Sequence, residues 1–75
     1  MNATAKIEKM RDQLVEWKEY FEDLSTKKQD KYDKASDKWQ ESEKGDECQQ
    51  DILDADDIAN DFDTVITNIE SVFEI

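Results

Sequence analysis

From Ile7 the apolar residues of this chain recur at steps of three and four, through Met10, Leu14, Trp17, Phe21 and Leu24. They do so again from Cys48, through Ile52, Ala55, Ala59, Phe62, Ile66, Ile69 and Phe73. This spacing marks the a and d positions of a heptad, and it builds helices that each have one narrow apolar stripe to bury. No proline interrupts either run and there is one glycine, so strands and tight turns are disfavoured. The fold class that follows is all-α, an antiparallel two-helix hairpin of the coiled-coil kind. Residues 1–75 read as one domain, with a helix over about 3–34, a connector over about 35–45 and a second helix over about 46–73.

Between the two runs the first pattern falters. Continuing its heptad puts Lys28 and Lys31 on the seam, and apolar residues return shifted at Tyr32, Ala35 and Trp39. The shift resembles a four-residue stutter. The polar stretch from Ala35 to Gly45 holds the only glycine and is where a reversal is expected.

Charge tests the hairpin independently of the apolar pattern. In an antiparallel pair e positions face e positions. One register sets Arg11 opposite Glu70, Lys18 opposite Asp63 and Ser25 opposite Asp56, and it centres the turn near Gln40. At g, Tyr20 is expected to pack on Ile58 or Val65, and Lys27 to approach Asp51. Exposed pairs of this kind select register more than they stabilise.

One two-helix seam cannot cover all the apolar surface, because Ile58, Val65 and Val72 widen the second helix's stripe and Trp17, Tyr20 and Phe21 make the first bulky. Together with Phe62 and Ile69 these form the expected seam and dimer surface. A core this small is marginal without disulfides, metal or self-association. Two hairpins are therefore expected to associate as a homodimer, a four-helix bundle.

The segment from Tyr32 to Asp46 resembles the inter-helix region of short acidic phage and prophage proteins, in which a Tyr-Asp-Asn-Met-Pro-Glu-x-Leu-Gln-x-Ser-Glu-Arg-Gly-Glu type run joins two charged helices. Tyr32, Asp33, Gln40, Ser42, Glu43 and Gly45 match that pattern. Ser36 stands where the relatives often have proline, and Trp39 where they have leucine. The resemblance covers about 15 residues and implies a helical hairpin of phage or prophage origin, with no activity attached. Small proteins of this kind often act by binding a host protein.

Little in the sequence supports catalysis. There is no histidine, and no Ser or Cys has a base at a recognisable spacing. The acids from Asp54 to Asp63 do not match an EF-hand loop, since counting from Asp54 puts Ile58 at position 5 and Ala59 at position 6. Neither a metal nor a cofactor is expected. Cys48, at a d position, reads as a small buried hydrophobe rather than a reactive thiol. Trp39 either caps the seam or anchors a partner.

The net charge of −11 argues against direct binding of nucleic acid or an anionic membrane. No run approaches the roughly 20 apolar residues that span a bilayer, and no signal-peptide core is visible, so a cytoplasmic location is expected. The charge is unevenly spread. Residues 45–75 carry ten acids and no base, against eleven acids and ten bases in residues 1–44. Asp56, Asp63 and Glu70 face the first helix, and Asp46, Glu47 and Asp51 suit a helix N-terminus. Asp54, Asp57 and Asp61 point outward with no base on their own helix.

That patch is either a solvated face that keeps a small bundle soluble or a surface for a basic protein. A sharper form of the second reading is nucleic-acid mimicry. Ten acids over a helix of roughly 46 Å give about one per 4.6 Å, against about 1.7 Å for duplex DNA. A dimer would close much of that gap. The function expected is thus non-enzymatic binding and inhibition of a basic host protein, through Asp54, Asp57, Asp61 and Trp39. The alternative is a structural, self-assembling helical protein.

Overall fold

A computed structural model describes residues 3–75, all in helices and short connections, with no strand among them. Helix α1 spans Ala3–Lys34, α2 is the single turn Asp37–Gln40, and α3 spans Glu43–Phe73. α1 and α3 pack side by side as an antiparallel hairpin, and α2 closes one end against α3. The result is a rod of 56 × 15 × 13 Å, two helices thick. No described helix is long and apolar enough to cross a membrane.

The turn is built by short-range chemistry. Lys31 and Lys34 lie in the last turn of α1, where the helix dipole favours positive charge. The Tyr32 carbonyl near that end accepts from the Ala35 N–H at 3.2 Å and from Gln40 Nε2 at 2.7 Å. Such bonds satisfy acceptors that a helix end leaves free. Ser36 caps α2 by accepting from the Trp39 N–H at 3.2 Å. Ser42 caps α3, its Oγ accepting from the Gly45 N–H at 3.3 Å and donating to the Trp39 carbonyl.

One expectation about this region needs correction. The second helix begins at Glu43 rather than about residue 46, because Ser42 supplies the cap. The chain reverses between Lys34 and Glu43, inside the stretch expected for it, and Gly45 lies buried in the first turn of α3, without a positive φ. What it provides is room. A Cβ there would overlap the carbonyl of Gln40 and sit 2.5 Å from the Trp39 oxygen, so α2 can cross α3 backbone to backbone only at a glycine.

The seam on α3 follows the pattern, with Cys48, Ile52, Ala55, Ala59 and Ile66 buried and Phe62 and Ile69 half-buried. On α1 the stripe is turned by one position. Ile7, Leu14 and Phe21 are half-buried as expected, but alongside them lie Arg11, Lys18, Lys28 and Tyr32, with Ser25 buried, while Met10 and Trp17 turn out to the rim and Leu24 stays half-buried beside it. These residues still alternate steps of four and three from Ile7 to Tyr32, so the seam has no stutter. The physical reason is width. Phe21 stacks on Phe62 at 5.9 Å and fills the seam, leaving Trp17 to cover its edge, edge-on to Phe62 at 6.1 Å. The buried Ser25 lies level with the small side chain of Ala55. No large side chain is fully buried anywhere in the described chain.

Candidate functional site

The turned seam gives the hairpin two unlike flanks. On one, Arg11 donates to Glu70 at 2.9 Å and Lys18 to Asp63 at 3.1 Å. These are two of the e–e pairs the charge pattern sets opposite one another. The Arg11 pKa is raised, first by its bond to the neighbouring Asp12 and also by Glu70. That of Lys18 is raised by its bond to Asp63. Further along this flank Tyr32, Ile52 and Leu53 line a shallow groove with Gln29 and Gln49.

The other flank is apolar. Met10 is 57 % exposed, Trp17 51 %, Tyr20 64 %, Ile58 38 %, Val65 45 % and Val72 72 %. Helical phase puts all six on one side: Met10 and Trp17 at d and Tyr20 at g on α1, Ile58, Val65 and Val72 at g on α3. Leu24 and Ile58 line one groove there with Asp54. Tyr20, expected on Ile58 or Val65, stands edge-on to Phe21 at 5.4 Å. Lys28 closes the flank near the turn by bonding Asp51 at 2.8 Å, which raises the Lys28 pKa. Lys27, expected near Asp51, instead pairs with Asp23 in its own helix at 2.8 Å. The one-position rotation of α1 accounts for that exchange.

Asp54, Asp57 and Asp61 are exposed on the outer face of α3, and none of the three is in an ion pair among the described residues. Asp54 accepts from Gln50 Nε2 at 2.9 Å. Trp39 is some distance from them, at the turn. It is half-buried, its ring edge-on to Tyr32 at 6.5 Å, with Lys31 Nζ 5.5 Å from its centroid. The structure therefore does not bring Trp39 and the three aspartates together, and Trp39 covers the turn end of the seam. Cys48 is buried and unpaired, its thiol donating to the Lys28 carbonyl at 3.5 Å. Among the described residues no three acids or cysteines converge as a metal site would need.

The chain matches no family model, no curated protein and no solved structure. The rotation of α1 is the feature that periodicity missed, and with it the exposure of Met10 and Trp17. The signal available was Arg11, Lys18 and Ser25 at e: each can lie against a narrow seam, the first two with their charged ends in water.

Proposed function

We propose that this hairpin is a non-enzymatic protein-binding factor of phage origin, which engages and inhibits a basic host protein through the outer acidic face of α3. One observation carries the reading. Of the ten acids from Gly45 onward, Asp51, Asp63 and Glu70 answer bases of α1, and among the other seven Asp54, Asp57 and Asp61 face water in a row along α3. A row of carboxylates on a stiff helix attracts a basic surface at long range. A nucleic-acid channel of a defence or processing enzyme is one such surface, met there by mimicry. Capture of a basic nucleic-acid-binding protein should weaken steeply between about 50 and about 500 mM salt. Replacing Asp57 alone, and then all three by Asn, should weaken it stepwise while helicity is unchanged. Capture that is indifferent to both salt and substitution rules the reading out.

A second reading is self-assembly, favoured by the apolar flank. Six large apolar side chains exposed on one side of a two-helix rod are the surface a four-helix bundle would bury. The two readings share α3: self-association uses its side, with Asp54 and Asp61 at the rim, and leaves the back of the helix at Asp57 free.

A further inference from the structure

We infer that the apolar flank is occupied by a second copy of this chain, related by a two-fold axis parallel to the rod, so that each α1 packs on the other copy's α3. This rests on the self-assembly reading and specifies its geometry. Rotation about an axis along the rod leaves height unchanged. Residues level with one another inside one hairpin are therefore level across the two copies, and the register follows from the contacts of Arg11 with Glu70 and Lys18 with Asp63.

At that register the flanks complement each other in shape. Met10 lies level with the second copy's Val72, Trp17 with its Val65 and Leu24 with its Ile58. Each pairs a long or aromatic side chain of α1 with a β-branched one of α3, in tiers about 10.5 Å apart. The polar rims agree as well. The outer g row of α1 reads Gln13, Tyr20 and Lys27, and the c row of α3 reads Asn68, Asp61 and Asp54. Across the two-fold, Gln13 meets Asn68, Tyr20 meets Asp61 and Lys27 meets Asp54, and no like charges are opposed.

The other way to join the flanks is with the two-fold across the rod. It lays α3 on α3 and brings the Asp54 and Asp61 rows of two copies together, a repulsive contact. Charge thus selects the first arrangement. The need for a second copy comes from the thin seam, which leaves no large side chain fully buried. In the bundle the two α3 helices are diagonal. Asp57, further round the helix than Asp54 and Asp61, faces outward on each, so the dimer presents an Asp57 carboxylate to a basic partner on each of two opposite sides.

A double-mutant cycle followed by sedimentation equilibrium tests this. The unmodified chain should be a dimer at micromolar concentration. Lys27→Asp and Asp54→Lys should each raise the dimer dissociation constant about 5- to 10-fold, and the double variant should return within about twofold of the original. Inside one hairpin these residues stand on opposite edges of the flank, so recovery reports contact between copies. Tyr20→Phe and Asp61→Asn should each weaken the dimer, with no added loss when combined. Circular dichroism should show unchanged helicity throughout. A monomeric unmodified chain overturns both the self-assembly reading and this geometry. A dimer in which the Lys27 and Asp54 effects simply add overturns the geometry alone.

Discussion

Arg11 and Glu70 are 59 residues apart in the chain, and the guanidinium of the first donates to the carboxylate of the second at 2.9 Å. Together with Lys18 and Asp63 this contact fixes which residues of α1 and α3 are level. A slip of one heptad would put Arg11 opposite Asp63 but leave Glu70 facing residue 4, which is Thr. The Arg11–Glu70 pair is part-buried and the Lys18–Asp63 pair exposed, both at the edge of the seam, so their effect is on register more than on total stability. Arg11→Glu should lower the melting temperature by a few degrees, and Arg11→Glu with Glu70→Arg should recover most of the loss, read by circular dichroism. A double variant no better than the single would mean that the pair has no part in the register.

The hairpin was legible because two independent patterns agreed on it. Apolar residues gave both helices, and charges at Arg11, Lys18, Asp63 and Glu70 gave their orientation and the turn near Gln40. What periodicity could not resolve was rotation. Met10 and Arg11 lie on opposite sides of the row formed by Ile7 and Leu14, and hydrophobicity alone favours Met10 for the seam. The packing of Phe21 on Phe62, with Ser25 buried near the small Ala55, favours Arg11. The place of the turn was legible from composition but its mechanism was not. Tyr32, Gln40, Ser42 and Gly45 turn out to share one task, closing the end of α1 and starting α3. The stretch from Tyr32 to Asp46 therefore describes how the chain turns, and the outward acids lie outside it.

Gly45 provides a test in which two physical effects oppose each other. Alanine is the better helix former by about 1 kcal/mol. Its Cβ would overlap the backbone of Trp39 and Gln40, which can move only if α2 shifts. Overpacking against backbone costs about 1–3 kcal/mol, so Gly45→Ala should destabilise on balance, and Gly45→Val more so. Chemical denaturation measures the difference. A stabilised Gly45→Ala would show that α2 is not held against α3.

Burial separates two aliphatic residues of α3, Ile66 in the seam and Val72 on its flank. Ile66 is 6 % exposed and Val72 is 72 % exposed. Ile66→Ala should cost about 2–4 kcal/mol of folding stability at any protein concentration. Val72→Ala should leave a dilute sample almost unchanged and lose stability only where a second copy covers that flank. Denaturation of both variants at two protein concentrations reads this directly. Equal losses, independent of concentration, would mean that Val72 is held within its own hairpin.

The raised lysine pKa values set the sign of the alkaline response. Lys18 and Lys28 are each shifted above the ordinary lysine value of 10.5, by bonds to Asp63 and Asp51 respectively. A base whose pKa is raised on folding contributes stability that is fully present below its unfolded value and is lost as pH rises through the folded one. The contribution of these two pairs should therefore be constant up to pH of about 10 and fall beyond 10.5, where the lysines lose their protons and the carboxylates face neutral amines. Both pairs are exposed, so the loss is partial, and salt should reduce it further. Lys18→Gln with Lys28→Gln provides the reference, because it lacks the two titrating groups and keeps every other ionisable side chain. Its melting temperature should be the lower of the two near neutrality and should converge on that of the unmodified chain as pH rises above 10.5. Curves that stay parallel across that range would show that neither pair contributes to holding α1 against α3.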